Sequence, residues 1–397
     1  GSHDFYALDA TSGERVWHLP TKDDGPTASV VDDGFAVFNT ERCTVYVVET
    51  RTGRVAWERW LGDPLLAQPA VGAGRVFMVY PRAGKHWLGA FDLRTGEPRW
   101  EAELTHDVIT APVFAEERLW LSTFDGNVWC VDPTSGAVLW SRDMRATSAP
   151  WIWNGDAYVA RRDRDAQHSE SAGGQREPRE RTSSLNRSGD LRREYAEKAA
   201  PYLAEKWGLA HKLGFNKLDA SVGFSTPPAA AKVGAASKLF GEAHVSRMWR
   251  YQGSRPVVVD GVLFDTTGDR LEARNVETDS LEWSWSNAKG YEGERRLSAP
   301  AVANGRVWAG TWDGRVISWD AASGAVRWEV AVGAPCLWQP TVSNGWVYAA
   351  LADGWLVAVH TGDPADEGWS MWGGGPGHNG EPATVSRTPE SARSNAA

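Results

Sequence analysis

The chain has 397 residues, enough for one large domain or two of ordinary size, and its 42% hydrophobic content suffices for a real core. A formal net charge of −9 argues against nucleic acid as the main partner, and no apolar run reaches the roughly 18–20 residues of a membrane helix. Three dispersed cysteines, Cys43, Cys130 and Cys336, make neither a disulfide framework nor a metal-ligand spacing, and they leave the redox compartment open.

The count of 23 Trp is the anomaly and points to a systematic structural use. No signal peptide is visible. The opening text reads as the end of one strand and the start of another, so the chain is expected to begin inside a structural unit.

From the N-terminus, "ALDATSGERVW" introduces a motif, Ala-x-Asp-x-x-Ser/Thr-Gly-x-x-x-Trp. Its first copy is carried by Asp9, Ser12, Gly13 and Trp17. Further copies end at Trp57, Trp100, Trp140, Trp283 and Trp328, and two degenerate copies end at Trp249 and Trp369. The intervals between these tryptophans are 40, 43, 40, 109, 34, 45 and 41 residues. A period near 40 predicts propeller blades of four strands. The intervening text, such as "APAVANGRVWAGTWDGRVISWD", reads as strand, tight turn, strand, Asp-Gly turn, strand.

The motif reads as the hairpin joining the third and fourth strands. Asp and Ser/Thr accept turn N–H groups, Gly supplies the left-handed residue, and Trp packs on the neighbouring blade. Each buried Trp contributes roughly 2–3 kcal/mol by area. Repetition in every blade favours turn and packing roles for these Asp and Trp residues over catalysis or sugar stacking.

The 109-residue interval exceeds one period by about 70. Residues 161–190 are charged and almost free of apolar side chains, which predicts disorder or a mobile loop. Leu191, Tyr195, Ala199, Leu203 and Trp207 then recur every four residues, a helical stripe. Thr226 as an N-cap and Gly241 as a stop mark another helix. The organisation predicted is propeller blades over 1–160 with the first incomplete, an insertion over 161–245, blades over 246–376, and a disordered tail over 377–397.

These motif residues resemble the tryptophan-docking repeat of the pyrroloquinoline-quinone (PQQ)-type β-propellers, with non-catalytic members such as BamB the nearest in character. The resemblance implies an all-β fold, a β-propeller of four-stranded antiparallel blades; the eight Trp closures imply an eight-bladed β-propeller, and the 109-residue interval a helical insertion in blade five. "SMWGGGPGHNG" resembles a Gly-rich segment of such proteins that packs the closure of the ring. The enzymes of the family use an adjacent Cys–Cys pair and a calcium site of Glu, Asn and Asp. No two cysteines are adjacent here, and no stretch matches that calcium set.

Any function is expected in residues that do not repeat. Connections between blades and loops between second and third strands share one face, the mouth of the central channel. They bring there Gln68, Arg145, Arg161, Arg255, Arg295, Arg296, Trp312, Trp338 and Gln339, a basic and aromatic set within an acidic chain. Such a field suits a small anionic ligand or a protein partner. His106, His211 and His378 form no ligand spacing, and GxSxG, P-loop and HExxH motifs are absent.

The expected function is a non-catalytic binding or scaffold protein, monomeric, with no metal and no cofactor. The resemblance alone implies an extracytoplasmic, bacterial setting. The alternatives are a PQQ- and calcium-dependent dehydrogenase-like oxidoreductase with a rebuilt site, and a ligand-sensing domain of a larger receptor or kinase.

Overall fold

A computed structural model describes residues 4–21, 25–63, 65, 67–108, 110–144, 146, 148–159, 255–267, 269–288 and 296–380. The chain folds as successive antiparallel meanders. A first hairpin pairs β1 (Asp4–Leu8) with β2 (Arg15–Pro20). Four-stranded sheets follow: β3 (Val30–Asp32), β4 (Phe35–Asn39), β5 (Thr44–Glu49) and β6 (Val55–Trp60); then β7 (Ala70–Gly72), β8 (Arg75–Arg82), β9 (Lys85–Asp92) and β10 (Pro98–Leu104); then β11 (Val113–Ala115), β12 (Arg118–Ser122), β13 (Asn127–Val131) and β14 (Val138–Asp143). A second hairpin holds β15 (Trp151–Trp153) and β16 (Asp156–Tyr158). Two more four-stranded sheets comprise β17 (Val257–Val259), β18 (Val262–Thr267), β19 (Arg270–Asn275) and β20 (Leu281–Ser286), and β21 (Ala301–Ala303), β22 (Arg306–Gly310), β23 (Arg315–Asp320) and β24 (Val326–Ala331). The last sheet has three strands, β25 (Thr341–Ser343), β26 (Trp346–Ala350) and β27 (Leu356–His360).

First strands of neighbouring sheets touch: β3 with β7, β7 with β11, β15 with β17, β17 with β21, and β21 with β25. They therefore lie around a common axis, and later strands step outward. Second and third strands are largely buried between sheets, as in β5 (iBBBBi) and β23 (BBBBBi), whereas fourth strands alternate exposure, as in β24 (eeieie). The core is accordingly a set of apolar layers between adjacent sheets.

Local chemistry sets the turns. First-to-second-strand loops have two residues, both at positive φ, as in Asn304 (51°) and Gly305 (64°). That pair of angles matches the twist of a tight hairpin. In the third-to-fourth-strand hairpins, one carboxylate holds the turn. Asp9 Oδ1 accepts Thr11 N–H at 3.0 Å and Ser12 N–H at 2.7 Å, and Asp9 O accepts Gly13 N–H at 2.9 Å. Asp92, Asp132 and Asp320 repeat this arrangement, and Asn275 substitutes for them before β20.

Among the described residues the expected eight blades are corrected to six: five sheets of four strands and one of three, the two remaining sheets being two-stranded hairpins. No helix occurs among the described residues, so none there is long and apolar enough to cross a membrane. The helical insertion in blade five thus has no support, and its segment, 161–245, lies outside them. Counting Trp overestimates blades for a physical reason. The indole closes only an outer hairpin, so Trp17 marks β1–β2, for which no inner strands are described. Trp249 lies outside the described residues. Trp369 is in no outer strand at all: it bridges Val342 on β25, a first strand.

Candidate functional site

The chain's own residues 369–380 lie against the innermost strands at the axis. They run along it and bond to the first strands. Val342 N–H donates to Trp369 O at 2.8 Å, Val71 N–H to Pro376 O at 2.9 Å, and Phe114 N–H to Gly377 O at 2.9 Å. Asn379 completes the pattern with a paired contact: its Nδ2 donates to Ile152 O at 2.8 Å, and its Oδ1 accepts Ile152 N–H at 2.7 Å. One segment therefore engages β25, β7, β11 and β15. Its glycines permit close approach: a Cβ on Gly377 would lie 2.2 Å from Phe114 O.

Polar side chains from the connections support this segment. Gln339 Nε2 donates to Pro300 O at 2.6 Å, while its Oε1 accepts Gly373 N–H at 2.9 Å. Arg255 is fully buried and donates from Nε and Nη2 to Pro150 O at 3.1 and 2.6 Å. Its guanidinium lies between the Trp151 ring, at 4.6 Å, and the Trp372 ring, at 5.1 Å. Trp151 stacks in turn on Trp369, centroids 5.7 Å apart and 6° from parallel. No carboxylate pairs with Arg255 among the described residues, and burial lowers its pKa to about 9. Contact with two aromatic faces supplies part of what a carboxylate otherwise would.

His378 sits beside this stack. Its Nε2 is 2.8 Å from Pro69 O and its Nδ1 3.0 Å from Trp372 O. Burial, with the Arg255 charge adding, lowers its pKa to about 4 despite both carbonyls. A neutral ring has one N–H and so donates to one of the two. Residues 377–380, expected to open a disordered tail, are thus part of the axial segment.

The mouth is built where connections meet second-to-third-strand turns. Isolated bridges tie the two together at Val108 with Thr123, Leu297 with Thr311, and Cys336 with Leu351. Arg296 lies over the Trp312 ring at 4.6 Å and accepts Trp312 N–H through its carbonyl at 2.9 Å. Arg82 forks onto Glu101 at 3.0 and 2.9 Å and covers Trp87 at 5.1 Å, while Lys85 pairs with Glu103 at 2.7 Å. Among the described residues, Arg82, Lys85 and Arg296 of this face are thus committed, to carboxylates or to aromatic faces.

Of the mouth residues expected from sequence, Arg255 and Gln339 serve the axial segment, and Gln68 is buried, its backbone N–H bonded to Thr110 O at 2.9 Å. Arg296 is also buried; Trp312 and Trp338 are half-buried. Arg145, Arg161 and Arg295 lie outside the described residues. Sequence reasoning missed a pair of His–Asp contacts. His86 Nδ1 is 2.6 Å from Asp107 Oδ1. His106 Nδ1 approaches Asp125 Oδ2 at 3.1 Å, without a hydrogen-bonding angle. The two imidazoles lie 6.3 Å apart and 9° from parallel. No local spacing announces them, because strand register joins residues 21 positions apart in sequence. Burial lowers the His86 pKa, but the Asp107 hydrogen bond and charge outweigh it and the net shift is upward.

The motif tryptophans divide by position. Trp17, Trp57, Trp100 and Trp283 donate through Nε1 to Thr50 O, Leu93 O, Pro133 O and Ala321 O of the next sheet, at 2.7, 2.8, 3.0 and 2.9 Å. Each lies over that sheet's motif glycine, Gly53, Gly96, Gly136 or Gly324. Trp140 and Trp328 pack against Trp120 and Trp308 of their own sheets.

The chemistry available is thin. Among the described residues no group of three His, Cys, Asp or Glu side chains is placed to hold a metal. All three cysteines are buried and unpaired. Burial raises the pKa of Cys130 to about 11 and of Cys336 to about 12, and raises Cys43 further, so none is a nucleophile near neutral pH.

Comparison with known proteins agrees with this geometry. Residues 2–92, 79–201 and 267–394 match the family model described as outer membrane protein assembly factor BamB. The BamB of Yersinia pestis is 27% identical over 154 residues, covering 35% of this chain and 39% of that protein. A quinone-dependent 1-butanol dehydrogenase of Thauera butanivorans is 30% identical over 118 residues, 24% of this chain and 19% of that enzyme. The matches thus span well under half of either relative. The crystal structure of BamB from Moraxella catarrhalis superposes with a TM-score of 0.53 at 13% identity, covering 88% of this chain and 89% of that one, which speaks for the fold alone. The family match extends over most of the sequence, and the chain belongs to the BamB family of β-propeller proteins.

Proposed function

We propose that this protein is a non-catalytic scaffold that presents the mouth of its propeller to a protein partner, in an extracytoplasmic compartment. The observation that carries this reading is the axial segment bonded to the first strands. Residues 369–380 occupy the inner edges of β7, β11, β15 and β25, with Arg255 against the Trp372 ring and Gln339 accepting Gly373 N–H. Recognition then falls to the rim of the mouth, where Arg82, Lys85, Trp87 and Trp312 combine charge with aromatic surface. Family membership and the BamB relatives support the scaffold role and the compartment.

The residues described at the axis do not fit a quinone with calcium. The carbonyls of Pro69, Pro150 and Pro300 are within hydrogen-bonding distance of His378, Arg255 and Gln339, and no carboxylate cluster stands beside them. The test is direct. Purified protein is incubated with PQQ and calcium, and dye reduction is followed with alcohols and sugars. The expected result is no turnover and no retained quinone; sustained reduction would falsify the scaffold reading. A companion measurement compares proteins cross-linked to the native chain and to a Lys85→Glu, Trp312→Ala variant in the source cell. A partner lost selectively with the variant supports the mouth as the binding face.

A further inference from the structure

The β11–β14 and β21–β24 sheets build the mouth from the same backbone parts and hold them with different charges. Before β21, Trp312 N–H donates to Arg296 O at 2.9 Å, and Leu297 bridges Thr311. Before β11, Phe124 N–H donates to Asp107 O at 3.0 Å, and Val108 bridges Thr123. The turns that follow correspond residue for residue, 311–315 with 123–127. In the first turn Asp313 takes a permanent cation. Arg315 Nη2 lies 2.5 Å from its Oδ2, and Arg315 Nη1 donates to Glu329 Oε1 at 2.8 Å. In the second turn Asn127 replaces that arginine. Asp125 accepts Asn127 Nδ2 at 2.7 Å and the Thr105 hydroxyl at 2.8 Å. The group that can bring it a positive charge is His106, whose Nδ1 is 3.1 Å from Oδ2.

A second imidazole closes the other side of the same connection. Strands β8 and β9 have eight residues each, where β22 has five and β23 six, so the β8–β9 hairpin extends further at the mouth. There His86 places its Nδ1 2.6 Å from Asp107 Oδ1. Residues 105–108 are thus held between this hairpin and the β12–β13 turn. Close by, Thr110 is a β-branched residue at φ +102°, a conformation that persists only where its neighbours impose it. The main-chain holds do not titrate: the bonds to Thr123 and Phe124, and Gln68 N–H to Thr110 O at 2.9 Å. The two imidazoles do, and near neutral pH.

We propose that the His86–Asp107 and His106–Asp125 contacts form a pH-dependent clip on the mouth, which holds residues 105–108 firmly when the imidazoles are protonated and loosely when they are neutral. The charges around the clip have been taken up in pairs. Lys85, beside His86, pairs with Glu103 of β10, and Arg82 pairs with Glu101. Asp143 on β14 stands opposite Asn127. Asp107 and Asp63 both act on the Cys43 thiol, which burial keeps neutral. Two protonated imidazoles therefore face two carboxylates, and two neutral ones leave Asp107 and Asp125 without counter-charge. Burial works against the His86 cation, but the Asp107 hydrogen bond and the charges of Asp107 and Asp125 outweigh it. Protonation thus favours the closed clip, which loosens as pH rises through neutrality. The Arg315–Asp313 turn keeps its charge throughout that range.

Amide hydrogen exchange of the 397-residue chain tests this without a partner, so its failure would leave the scaffold reading untouched. Exchange is followed from about pH 5.5 to about pH 8.5 and corrected for its intrinsic pH dependence. Protection of residues 105–108 and 123–126 is expected to fall about threefold or more across the range, while 296–298 and 311–314 stay level. A His86→Gln, His106→Gln variant loses the dependence and is loosely held throughout. A His86→Arg, His106→Arg variant also loses it and is firmly held throughout. The comparison of the two turns in the unaltered chain stands even where a variant fails to fold. Level protection of 105–108 across the range overturns the proposal. So does an equal fall at 296–298, or a dependence that survives replacement of both histidines by glutamine.

Discussion

At the rim, Trp57 lies over Gly96 of the next sheet and donates to Leu93 O at 2.8 Å. At the axis, Trp369 is 1% exposed and stacks on Trp151, and its Nε1 has no hydrogen-bond partner among the described residues. The rim contact joins two sheets and recurs with small variation. The axial segment touches β7, β11, β15 and β25 at once and has no second copy among the described residues. A rim defect therefore loosens one joint, whereas an axial defect removes a tie shared by sheets far apart in sequence.

The largest test of this difference uses glycine. In Gly377→Ala the new Cβ would sit 2.2 Å from Phe114 O, a backbone atom of β11 that has no way to swing aside. A loss of about 3 kcal/mol or more in urea unfolding is expected. Gly96→Ala meets the Trp57 ring at 2.7 Å and a φ of +71°, so about 2 kcal/mol is expected. Gly13→Ala, at φ +72° with open space, carries only the backbone strain, about 1 kcal/mol. A Gly377→Ala variant no weaker than Gly13→Ala would remove the axial segment from its role.

The two regions also differ in their response to pH. His378 is held neutral when folded, its pKa lowered to about 4 from an ordinary 6.5. Between those values the unfolded chain binds more protons, so stability falls as pH drops from 6.5 towards 4, by up to about 3 kcal/mol. His86 has the opposite sign. Its raised pKa favours the folded state at low pH, and that contribution is lost as pH rises through the folded value. His378→Gln should flatten the slope of the unfolding midpoint below pH 6.5, whereas His86→Gln should leave that slope alone and remove the loss of stability that accompanies rising pH above 6.5. Equal slopes in both variants would show that neither ring governs the window.

How much of this was legible follows the same division. The hairpin motif was readable because Asp9, Ser12, Gly13 and Trp17 act within one turn and one neighbouring contact. The blade count was not, since Trp17 marks a hairpin without described inner strands and Trp369 sits against a first strand. The mouth residues were placed on one face by the parity of a meander, and the bridges at Val108, Leu297 and Cys336 lie there. Their pairing was hidden. Arg255 precedes a strand as any connection residue does, and nothing local says that it will lie between Trp151 and Trp372. That information lies in ring closure, which brings residues 151, 255 and 372 together.

The smallest expected effect sharpens the rim side of the comparison. Between β11 and β12 the two turn residues are Glu116 and Glu117, at φ 49° and 55°. Asn304 with Gly305, and Asn344 with Gly345, fill the equivalent turns of other sheets. Glutamate has no side-chain device that favours the left-handed region, whereas Asn and Gly enter it readily. Glu116→Asn with Glu117→Gly is expected to stabilise the protein by about 1 kcal/mol, a rise of about 2 °C in Tm by calorimetry. One native contact opposes this: Glu116 Oε2 reaches within 3.9 Å of where a Cβ on Gly155 would sit, at the turn of the β15–β16 hairpin. If that approach matters, Glu117→Gly alone will stabilise and the double variant will not. The turn would then join neighbouring sheets, and the contrast between a local rim and a shared axis would be weaker than the hydrogen bonds imply.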